Sequence, residues 1–560
     1  MAGFIAFVIL TVGVAVIVTV VTRIRNENLL RVKLVAGFGK MPALDEEGRP
    51  ESLSNLESIA RYAEMMTDEE PGPWRLDATT WNDLDMDKVF GRVNVCQSSV
   101  GEEYLYNCLH ELQRNDRALL EREQLVDFFE SHGEERVTAQ MALARVGKEN
   151  FNGLVRLMFD ADDRYLKHQH IFGVLAVLPI VGAAFLLFHV PLGFIVLFGS
   201  FITNIIVHNR VKNALESDMP AVEYLHGMLV GCKRLCDIKT MENLPAMVMM
   251  RRCFAFFKSV MNKLPSSQNK GGLMDYDFLL EYLRVLFLLD LRNYNKLVRA
   301  INEHSKEFQG LFNAMGEVET ALCVLNLRKT LPTWCAPDFH KDATIQFEGL
   351  VHPLLNAPVP NTGEIANDSL LTGSNASGKS TFVKALALGG VLAQTLYTCA
   401  AARFQLRFSW VLTSMVLRDD IGSGDSYFVV EIKSLRRIVE RVKEHPCTCY
   451  IDEILRGTNT VERIAASASV LGWLAAQPCL TVAATHDIEL THMLASSYEN
   501  FHFREQVTDA GVEFDYTLKH GPATTRNAIK LLEVMDFDPG IVAQAQKMAR
   551  EYDTNQKWEG

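Results

Sequence analysis

Two stretches of this chain contain no charged residue, and they restrict its fold more than any other feature. Residues 4–22 form the first stretch and residues 171–207 the second. A helix needs about 20 apolar residues to cross a bilayer, so the first stretch fits one crossing. The second is too long for one crossing and is interrupted near its middle by His189 and Pro191, which favours two helices joined by a tight turn. We therefore expect three membrane-spanning helices.

Each stretch also has an alternative interpretation. The first could be a cleaved signal peptide, but no basic residue precedes it, Arg23 and Arg25 follow it at once, and no small-residue cleavage site is present. The second could be a buried hairpin inside a large soluble core. We favour membrane insertion for both stretches.

Basic residues next to the uncharged stretches predict the orientation in the membrane. Short cytoplasmic flanks collect Lys and Arg, so we expect the N-terminus outside and both ends of the hairpin inside. The chain would then be a multi-pass protein of the cytoplasmic (inner or plasma) membrane, with its soluble parts in the cytoplasm. The flanking residues are Arg23, Arg25, Arg31 and Lys33 after the first stretch, Arg164 and Lys167 before the second, and Arg210 and Lys212 after it.

The composition argues against two other classes of protein. With 56 Lys and Arg against 68 Asp and Glu, the 560-residue chain has a formal charge of -12, the wrong sign for a protein that coats itself with nucleic acid. Its 11 cysteines are scattered without paired CxxC motifs, which indicates reduced thiols in the cytosol rather than a disulfide framework. We expect the close pairs Cys232 with Cys236 and Cys447 with Cys449 to be buried apolar residues rather than zinc ligands.

Changes of pattern along the chain predict its organisation. Residues 1–33 would form an N-terminal transmembrane anchor, and residues 34–80, which mix Pro, Gly and acidic residues, a linker. Helical patterning dominates residues 81–331, which we interpret as an all-α domain interrupted by the transmembrane hairpin 171–207. Short apolar strands then alternate with helices, so residues 332–560 are predicted to form an α/β domain with a mostly parallel sheet.

The predicted α/β domain contains a phosphate-binding pattern between a strand and a helix. The segment Gly373–Ser380, GSNASGKS, matches GxxxxGKS, follows a strand ending at Thr372 and precedes a helix that opens at Thr381. Its glycines would let backbone N–H groups surround phosphate oxygens at a helix N-terminus, where the dipole favours an anion. Lys379 would reach the β and γ phosphates of ATP, and Ser380 would bind Mg²⁺. The predicted ATP-binding residues are Gly373, Ser374, Asn375, Ala376, Ser377, Gly378, Lys379, Ser380 and Thr381.

Two further apolar strands end in side chains suited to hydrolysis. One ends in two acids, of which Asp452 would bind Mg²⁺ through water and Glu453 would act as general base on the attacking water. The other ends in His486, placed to sense the γ phosphate. Either strand end alone could be an ordinary solvated surface, but their order after a phosphate loop makes them specific. The predicted metal ligands are Ser380 and Asp452, and the predicted catalytic residues are Lys379, Glu453 and His486.

A fourth segment, residues 419–428, precedes a helix rich in charged residues. In isolation its Ser-Gly-Asp-Ser sequence would be a turn followed by a helix N-cap. With the other three elements present, it looks like a signature loop that meets ATP from the opposite subunit, with Ser426 directed at the γ phosphate. A site completed by a second subunit would couple dimer geometry to hydrolysis. The predicted residues of this loop are Ser423, Gly424 and Ser426.

These elements, with DEILRGTNT at residues 452–460 and ATHDIELT at 484–491, resemble the MutS family of ATPases. They fit the ABC subunits of transporters less well, because the LSGGQ loop of those subunits is absent. Residues 520–545 are similar to the family's closing helical dimerisation segment, and residues 87–112 to the start of its helical core. The resemblance implies a P-loop NTPase domain of ABC/MutS type after an all-α core and transmembrane helices, with ATP and Mg²⁺ as cofactors in a homodimer.

The chain departs from the DNA mismatch repair members of this family at its N-terminus. Those members carry a mismatch-reading domain with a Phe-x-Glu motif, whereas an anchor and a linker occupy that place here. The uncharged hairpin also lies within the helical core region, where repair proteins have levers and a DNA clamp. We therefore interpret the chain as a membrane-anchored MutS-like variant that lacks the mismatch-recognition domain.

These features together predict an enzyme. We expect a homodimeric, Mg²⁺-dependent ATP hydrolase whose cycle moves the helical core and the attached hairpin. A membrane-tethered DNA-binding protein of mismatch repair or recombination type is the first alternative, since DNA binding is possible although the net charge does not indicate it. An export ATPase is the second, although three spans per subunit form a poor permeation path. The sequence identifies no protein partner.

Overall fold

The computed structural model groups the chain into two compact units. Unit 1 comprises Met1–Thr67, Val93–Asn107 and Glu121–Lys329, and unit 2 comprises Asp68–Arg92, Cys108–Leu120 and Thr330–Gly560. The described residues are 2–42, 50–66, 72–149, 153–159, 169–214, 219–261, 285–374, 377–415, 427–456, 458–508, 511–523, 529, 532–533, 535 and 537–555.

Helices dominate the first part of the chain, and most strands come later. The helices are α1 (Ala2–Gly37), α2 (Leu56–Met65), α3 (Ala78–Asp83), α4 (Met86–Val93), α5 (Ser99–His110), α6 (Arg117–Ser131), α7 (Gly133–Ala144), α8 (Gly153–Phe159), α9 (Gln169–Phe185), α10 (Val190–Ala214), α11 (Met219–Cys236), α12 (Pro245–Met261), α13 (Leu289–Glu303), α14 (Ser305–Thr330), α15 (Lys379–Leu396), α16 (Tyr427–Arg441), α17 (Thr460–Leu474), α18 (Ile488–Met493) and α19 (Pro539–Asn555). Short 3-10 helices lie at Glu51–Asn55 and Lys239–Met241.

The strands are also numbered in chain order. They are β1 (Trp74–Arg75), β2 (Glu111–Leu112), β3 (Asp338–Phe339), β4 (Ile345–Leu350), β5 (Asn361–Ile365), β6 (Ser369–Thr372), β7 (Arg403–Leu406), β8 (Trp410–Ser414), β9 (Cys447–Asp452), β10 (Cys479–Ala484), β11 (Glu499–His502), β12 (Glu505–Thr508), β13 (Gly511–Phe514) and β14 (Lys519–His520). The fold is therefore mixed α/β and mostly helical, which agrees with the predicted order of a helical region before an α/β region.

Helix α14 runs through the core of unit 1. Most of its side chains between residues 308 and 327 are buried, which a helix without proline and with apolar residues on several faces can accommodate. Two of its charged side chains form ion pairs with α6. Glu317 accepts hydrogen bonds from Arg122 of α6 at 2.6 and 3.0 Å, and Arg328 donates to Glu123 of α6 at 2.7 Å. The pairing satisfies charges that burial would otherwise leave uncompensated.

Helices α9 and α10 form the helical hairpin that the sequence predicts. Residues 186–189 connect them, and two glycines permit their close approach. A Cβ atom at Gly182 would lie 2.7 Å from the backbone nitrogen of Leu197, and one at Gly193 would lie 2.5 Å from the backbone nitrogen of Leu186. Small residues at such contacts let helix backbones pack closely, as they do between helices in membranes.

The outer faces of this hairpin are apolar and exposed. Phe188 in the connection is 86% exposed, and Ile195 on α10 is 70% exposed. Within the described part of the chain, the segment Val190–Val211 is the one helix long and apolar enough to cross a membrane, and only 17% of its apolar window is buried. The segment His170–Phe185 is apolar but shorter. The described side chains thus contain one candidate span by length and composition. The predicted first span, residues 4–22, lies largely outside the side chains that the structure describes and stays a prediction.

Much of the predicted linker is held against unit 1. Helix α1 continues past the predicted anchor boundary to Gly37. The backbone N–H of Gly39 donates to Asn326 Oδ1 at 2.8 Å, and Asn326 donates to the carbonyl of Lys40 at 3.0 Å. Further along, Tyr62 of α2 is fully buried. These contacts with α14 make the first part of the segment a component of unit 1 rather than a free connection.

Unit 2 contains a six-stranded sheet in the order β14-β11-β6-β10-β9-β8. All neighbouring strands are parallel except the edge pair β11 and β14. Strands β6, β8, β9 and β10 are buried along their whole length, as the continuous apolar sequences of strands covered on both faces require. The mostly parallel sheet agrees with the prediction for this region.

Smaller elements complete unit 2. A four-stranded sheet has the order β3-β7-β4-β5, and β12 and β13 form a separate two-stranded hairpin. Helix α15 packs against β8, β9 and β10 of the large sheet and is buried along nearly its whole length. The helix is therefore held rigidly at the point where it follows β6.

Two segments that precede the α/β region in sequence also belong to unit 2. Strands β1 and β2 pair antiparallel, and α3 packs against β8. Asp83 of α3 accepts hydrogen bonds from Thr413 Oγ1 at 2.7 Å and from the backbone N–H of Met415 at 3.0 Å. The predicted boundaries at residues 80 and 331 miss this arrangement, because long-range hydrogen bonds leave no trace in local patterning.

Candidate nucleotide-binding site

The carboxyl ends of β6, β10 and β9 meet at one edge of the large sheet. Ala484 of β10 is in register with Leu371 of β6 and with Asp452 of β9. The chain segments that follow these strands therefore emerge side by side, and they are the phosphate loop, the acidic pair and the His486 segment. Ligands of open α/β sheets bind outside the carboxyl ends of the strands. The structure thus brings together three segments that the sequence predicts to share a site.

The phosphate loop turns sharply between β6 and α15. Gly373 and Gly378 have positive φ angles of 142° and 99°, a conformation that is costly for residues with a Cβ. A Cβ at Gly373 would also lie 2.7 Å from the carbonyl oxygen of Phe503. Helix α15 begins directly after Gly378, so its unpaired N–H groups and the positive end of its dipole lie at the loop. This is the geometry of an anion-binding loop.

Lys379 directs its ammonium group into the loop. The Nζ atom donates to the carbonyl oxygens of Gly373 at 2.6 Å and Ser374 at 2.7 Å, and the residue is only 3% exposed. Ser377 Oγ also donates to the Ser374 carbonyl, at 2.8 Å. The loop therefore presents a buried positive charge where phosphate oxygens would bind.

Asp452 and Ser380 fit the predicted role of Mg²⁺ ligands. Asp452 is 6% exposed at the end of β9, and the Ser380 hydroxyl donates to its carboxylate. Its Oδ1 atom is buried without a hydrogen-bond partner among the described residues. Burial raises the pKa of Asp452, and the Ser380 hydrogen bond and the nearby positive charges only partly offset that effect. A buried carboxylate oxygen with no donor is suited to a cation.

The side chains at the loop fit the way proteins hold Mg²⁺. This ion keeps several waters and is commonly held by one or two carboxylates together with substrate phosphates. Asp452 supplies one carboxylate and Ser380 one hydroxyl beside the phosphate loop. In the part of the chain that the structure describes, no group of three or more His, Cys, Asp or Glu side chains could hold a metal ion.

Glu453 lies in a strained turn directly after β9. Its φ angle is +59°, which is uncommon for a residue with a Cβ and is often found at functional sites. Its carboxylate is paired with Arg456, and its Oε2 atom lies 3.5 Å from His486 Nδ1. Burial raises the pKa of Glu453, but the hydrogen bond from His486 and the charge of Arg456 outweigh burial and lower the pKa overall. The group is therefore ionised at neutral pH, as a general base must be.

His486 lies between two carboxylates. Its hydrogen bond to Glu453 raises the pKa of His486 above the usual value, and its Nε2 atom lies 3.8 Å from Asp487 Oδ1. Asp487 accepts hydrogen bonds from Arg463 at 2.6 and 3.0 Å. No role was predicted from the sequence for Asp487, Arg463 or Arg456. Arg456 and Asp487 lie within the segments 452–460 and 484–491 that carry the resemblance, whereas Arg463 lies outside both. The site therefore combines an ionised base with a neighbouring ring that can donate a hydrogen bond.

A cavity of about 300 Å³ opens beside the phosphate loop. Its lining includes Gly378 and Thr381 and, from more distant segments, His352, Asn361 and Tyr516. Burial lowers the pKa of His352 to about 4, so its imidazole is neutral at pH 7. The volume is at the lower end of the range for small-molecule sites. A neutral, partly apolar cavity next to an anion-binding loop suits the base of a nucleotide.

Tyr516 lies against the phosphate loop, and sequence reasoning missed it. A Cβ atom at Gly378 would lie 2.9 Å from Cδ1 of the Tyr516 ring, and that ring stacks on Phe514 with 5.8 Å between centroids. The Tyr516 carbonyl accepts a hydrogen bond from Asn361 Nδ2 at 3.0 Å. These partners are far apart in sequence, so no local signal could have identified the residue.

Some predicted site residues lie outside the described part of the chain, and their predictions stay predictions. They are Asn375 and Ala376 in the phosphate loop and Ser423, Gly424 and Ser426 in the predicted signature loop. The described neighbours of the signature loop are β8 on one side and α16 on the other.

Comparison with known proteins gives a consistent result for the C-terminal region. Residues 369–553 match the family described as MutS domain V. The DNA mismatch repair protein MutS of Natronomonas pharaonis is 29% identical over 271 residues, which are 46% of this chain and 31% of that protein. The protein of the same name from a strain of Thermus thermophilus is 29% identical over 202 residues, 35% of this chain and 25% of that protein. The one from Bacillus licheniformis is 25% identical over 282 residues, 48% of this chain and 32% of that protein.

The chain spans less than a third of the length of each of these relatives. The matched family region begins at Ser369, the first residue of β6, and includes the phosphate loop, the acidic pair and His486. Geometry and similarity thus identify the same region. Residues 369–553 are therefore similar to a MutS domain V, a P-loop ATPase-type domain, and the chain is MutS-like in this region.

Proposed function

We propose that this chain binds and hydrolyses ATP with Mg²⁺ at the edge of the large sheet in unit 2, and that hydrolysis drives a conformational change. The convergence of Lys379, Asp452 and Glu453 at that edge carries the proposal, together with the buried Oδ1 atom of Asp452 beside Ser380. The similarity of residues 369–553 to MutS domain V supports ATPase-type chemistry.

Substrate binding would use groups that the fold already positions. Lys379 and the first N–H groups of α15 would hold the β and γ phosphates. Ser380 and Asp452 would hold Mg²⁺, which when bound neutralises phosphate charge and orients the γ phosphate. The cavity bordered by His352 and Tyr516 would receive the base.

The chemical step would depend on Glu453 and His486. The ionised carboxylate of Glu453 would accept a proton from the attacking water. His486, whose pKa is raised by Glu453, would donate a hydrogen bond to the γ phosphate and so stabilise the charge that develops there. Arg456 and Asp487 keep these two side chains in place through the ion pairs described above.

The test of this proposal is the variant Glu453→Gln, which keeps the size of the side chain and removes the base. We expect MgATP binding to be retained, and turnover to fall by about two to four orders of magnitude because base catalysis is lost. Binding is measured by calorimetry and turnover by phosphate release, on the full chain in detergent. The control is Glu444→Gln, an exposed acid of unit 2. Full turnover by Glu453→Gln would remove the base assignment.

We further propose that two copies complete each site, with Ser426 of one copy directed at the nucleotide of the other. The support is the position of the predicted signature loop between β8 and α16, and its resemblance to loops that act across a dimer. Mixing Lys379→Ala protein with Ser426→Ala protein should restore about one working site per dimer, because each variant supplies the part that the other lacks. Failure to complement would favour a site within one chain.

Attachment to a membrane is a separate proposal. Residues 4–22 and the hairpin would span the cytoplasmic membrane, with unit 2 on the cytoplasmic side. Its support is the uncharged sequence, the exposed apolar faces of α9 and α10, and the candidate span Val190–Val211. Membranes washed with alkaline carbonate should retain the full chain, whereas complete release into the wash would overturn the proposal.

DNA binding is a second candidate function. The relatives reported above are named DNA mismatch repair proteins, and this is the observation in its favour. The formal charge of -12 argues against it, since nucleic-acid affinity depends on neutralising phosphates. Salt-sensitive binding of duplex DNA by the purified chain would support this function, and the absence of binding at low salt would exclude it.

A further inference from the structure

The buried carboxylate of Glu431 takes no part in the steps above. Glu431 lies on α16 and is 3% exposed. Its Oε1 atom accepts hydrogen bonds from two consecutive backbone N–H groups, that of Leu455 and, at 3.3 Å, that of Arg456. A side chain of α16 therefore holds the turn that follows β9.

That turn carries Glu453 and needs an external restraint. Glu453 and Leu455 have φ angles of 59° and 58°, a left-handed conformation that residues with a Cβ keep only when the surrounding structure imposes it. Hydrogen bonds from N–H groups to a carboxylate are stronger than those to a neutral acceptor. Glu431 supplies such bonds at Leu455 and at the next residue, so it fixes the strained part of the turn.

The conformation of this turn orients the proposed base. Arg456, whose backbone N–H is bound by Glu431, uses its side chain to pair with the carboxylate of Glu453. Two contacts therefore connect α16 with Glu453. The backbone N–H of Arg456 donates to the carboxylate of Glu431, and the guanidinium of Arg456 pairs with the carboxylate of Glu453.

A simple packing role does not require this acid. Helix α16 is already anchored by the buried apolar residues Leu435 and Ile438, and by a hydrogen bond from Ser434 to Ser414 of β8 at 3.1 Å. Burying a carboxylate is unfavourable unless it is well bonded. The two hydrogen bonds that Glu431 accepts from Leu455 and Arg456 are directed at the turn beside the base.

We propose that Glu431 is a positioning residue for hydrolysis, which holds the turn at residues 453–456 and so keeps the carboxylate of Glu453 aligned with the attacking water. This inference rests on the proposed function of Glu453. Because α16 begins directly after the predicted signature loop, the same contact would pass a displacement of α16 to the base. Glu431 itself touches neither the nucleotide nor the water.

The experiment compares Glu431→Gln with Glu440→Gln, an exposed acid on the same helix that pairs with Arg436 at 2.8 Å. Both are made in the full chain, and thermal unfolding, MgATP affinity, kcat and KM are measured in detergent. For Glu431→Gln we expect unchanged affinity and KM, with kcat lower by on the order of ten- to a hundredfold, since small misplacements of a reacting group have effects of this size. Glu440→Gln should match the wild type.

The split between kcat and KM separates positioning from stability. A loosened turn displaces the carboxylate of Glu453 but leaves the phosphate-binding groups in place, so kcat should fall while KM and MgATP affinity stay unchanged. Glu431→Asp, which keeps the charge on a shorter side chain, should recover part of the loss.

Each other outcome overturns the inference in a recognisable way. If the wild type turns over ATP and the kcat of Glu431→Gln equals that of Glu440→Gln, Glu431 does not position the base and the proposed function stands. If Glu431→Gln loses affinity and thermal stability together and Glu431→Asp recovers none of the lost kcat, its role is structural only. If the wild type shows no turnover, the proposed function fails and this inference fails with it.

Discussion

Helices α15 and α10 are both apolar, but the rest of the protein buries α15 and leaves most of α10 exposed. Helix α15 is buried along nearly its whole length against β8, β9 and β10. In α10 only 17% of the apolar window is buried, and its main neighbour is α9. Apolar composition therefore does not decide where a helix is buried, because burial depends on whether another element presents an apolar face to it.

The exposed apolar face of α10 fits our proposal that the hairpin lies in a membrane. Soluble proteins rarely expose contiguous apolar patches larger than a few hundred Å², and the exposed side chains of α9 and α10 follow one another along both helices. A bilayer would supply the missing cover for α10, as the sheet supplies it for α15. Substitutions in α15, in α10 and at Glu453 test this contrast.

The largest expected effect is on ATP turnover, because α15 carries Lys379 of the proposed site and α10 carries no residue of that site. Lys379→Ala at the start of α15 should lower ATP turnover by about a hundred- to a thousandfold, because a charged donor to the phosphates is lost. Arg210→Ala, an exposed basic residue near the end of α10, should leave turnover unchanged. Phosphate release by the two purified variants measures both. Equal turnover in the two variants would contradict the site described here.

The second prediction compares burial directly. Leu386 of α15 is fully buried, whereas Ile195 of α10 is largely exposed. Leu386→Ala should lower the free energy of unfolding by about 2–5 kcal/mol, because a cavity is left in a packed core. Ile195→Ala in detergent should change it by less than about 0.5 kcal/mol, as exposed substitutions usually do. Thermal unfolding of the full chain measures both, and an equal loss would show that protein covers the outer face of α10.

The third prediction places a charge on the open face. Phe198 of α10 is 65% exposed. Phe198→Arg should disfavour insertion by about 2.5–3.5 kcal/mol if the residue lies near the bilayer centre, and should therefore reduce the fraction of chain recovered in washed membranes. Phe198→Leu is the control. Equal membrane recovery of the arginine and leucine variants would show that a bilayer does not cover α10 in the way that the sheet covers α15.

The smallest expected effect is electrostatic and confined to the site next to α15. Glu453→Gln should lower the pKa of His486, because the hydrogen bond to Glu453 is the main cause that raises it. Both groups are charged only at pH values above the lowered pKa of Glu453 and below the raised pKa of His486. The stabilisation from the ion pair is therefore lost as pH rises through the pKa of His486, and also as pH falls through the pKa of Glu453. An NMR titration of the His486 ring measures the shift, with His486→Asn to assign the resonance.

This stabilisation should be small, below about 1 kcal/mol, because solvent screens both partly exposed groups. An unchanged His486 pKa in Glu453→Gln would show that the two side chains do not interact in solution.

Local sequence predicted the parts of the site that depend on spacing. The phosphate loop, the acidic strand end and His486 each follow a buried strand, and parallel register then brings them to one edge. The residues that orient them could not be predicted. Arg463 and Tyr516 contact partners in other segments, and a single sequence carries no signal for such contacts. Arg456 pairs with Glu453 only three residues away, but the sequence does not show which way its side chain is directed.

Domain boundaries show the same limit on a larger scale. The change from helical to alternating pattern near residue 331 is real, but residues 68–92 and 108–120 join unit 2. Asp83 is tied to β8 across more than three hundred positions of sequence by two hydrogen bonds. Periodicity reports which face of an element is buried and not which element buries it.

Several features of this protein have a local cause and can be read from neighbouring residues: the glycines and lysine of the phosphate loop, the buried strands and the uncharged hairpin. Others arise only in the folded chain. They are the left-handed turn at Glu453, the hydrogen bonds from that turn to Glu431, and the burial that leaves Asp452 Oδ1 without a donor among the described residues. Strain and desolvation depend on a residue's surroundings, and those surroundings exist only once distant segments have packed together.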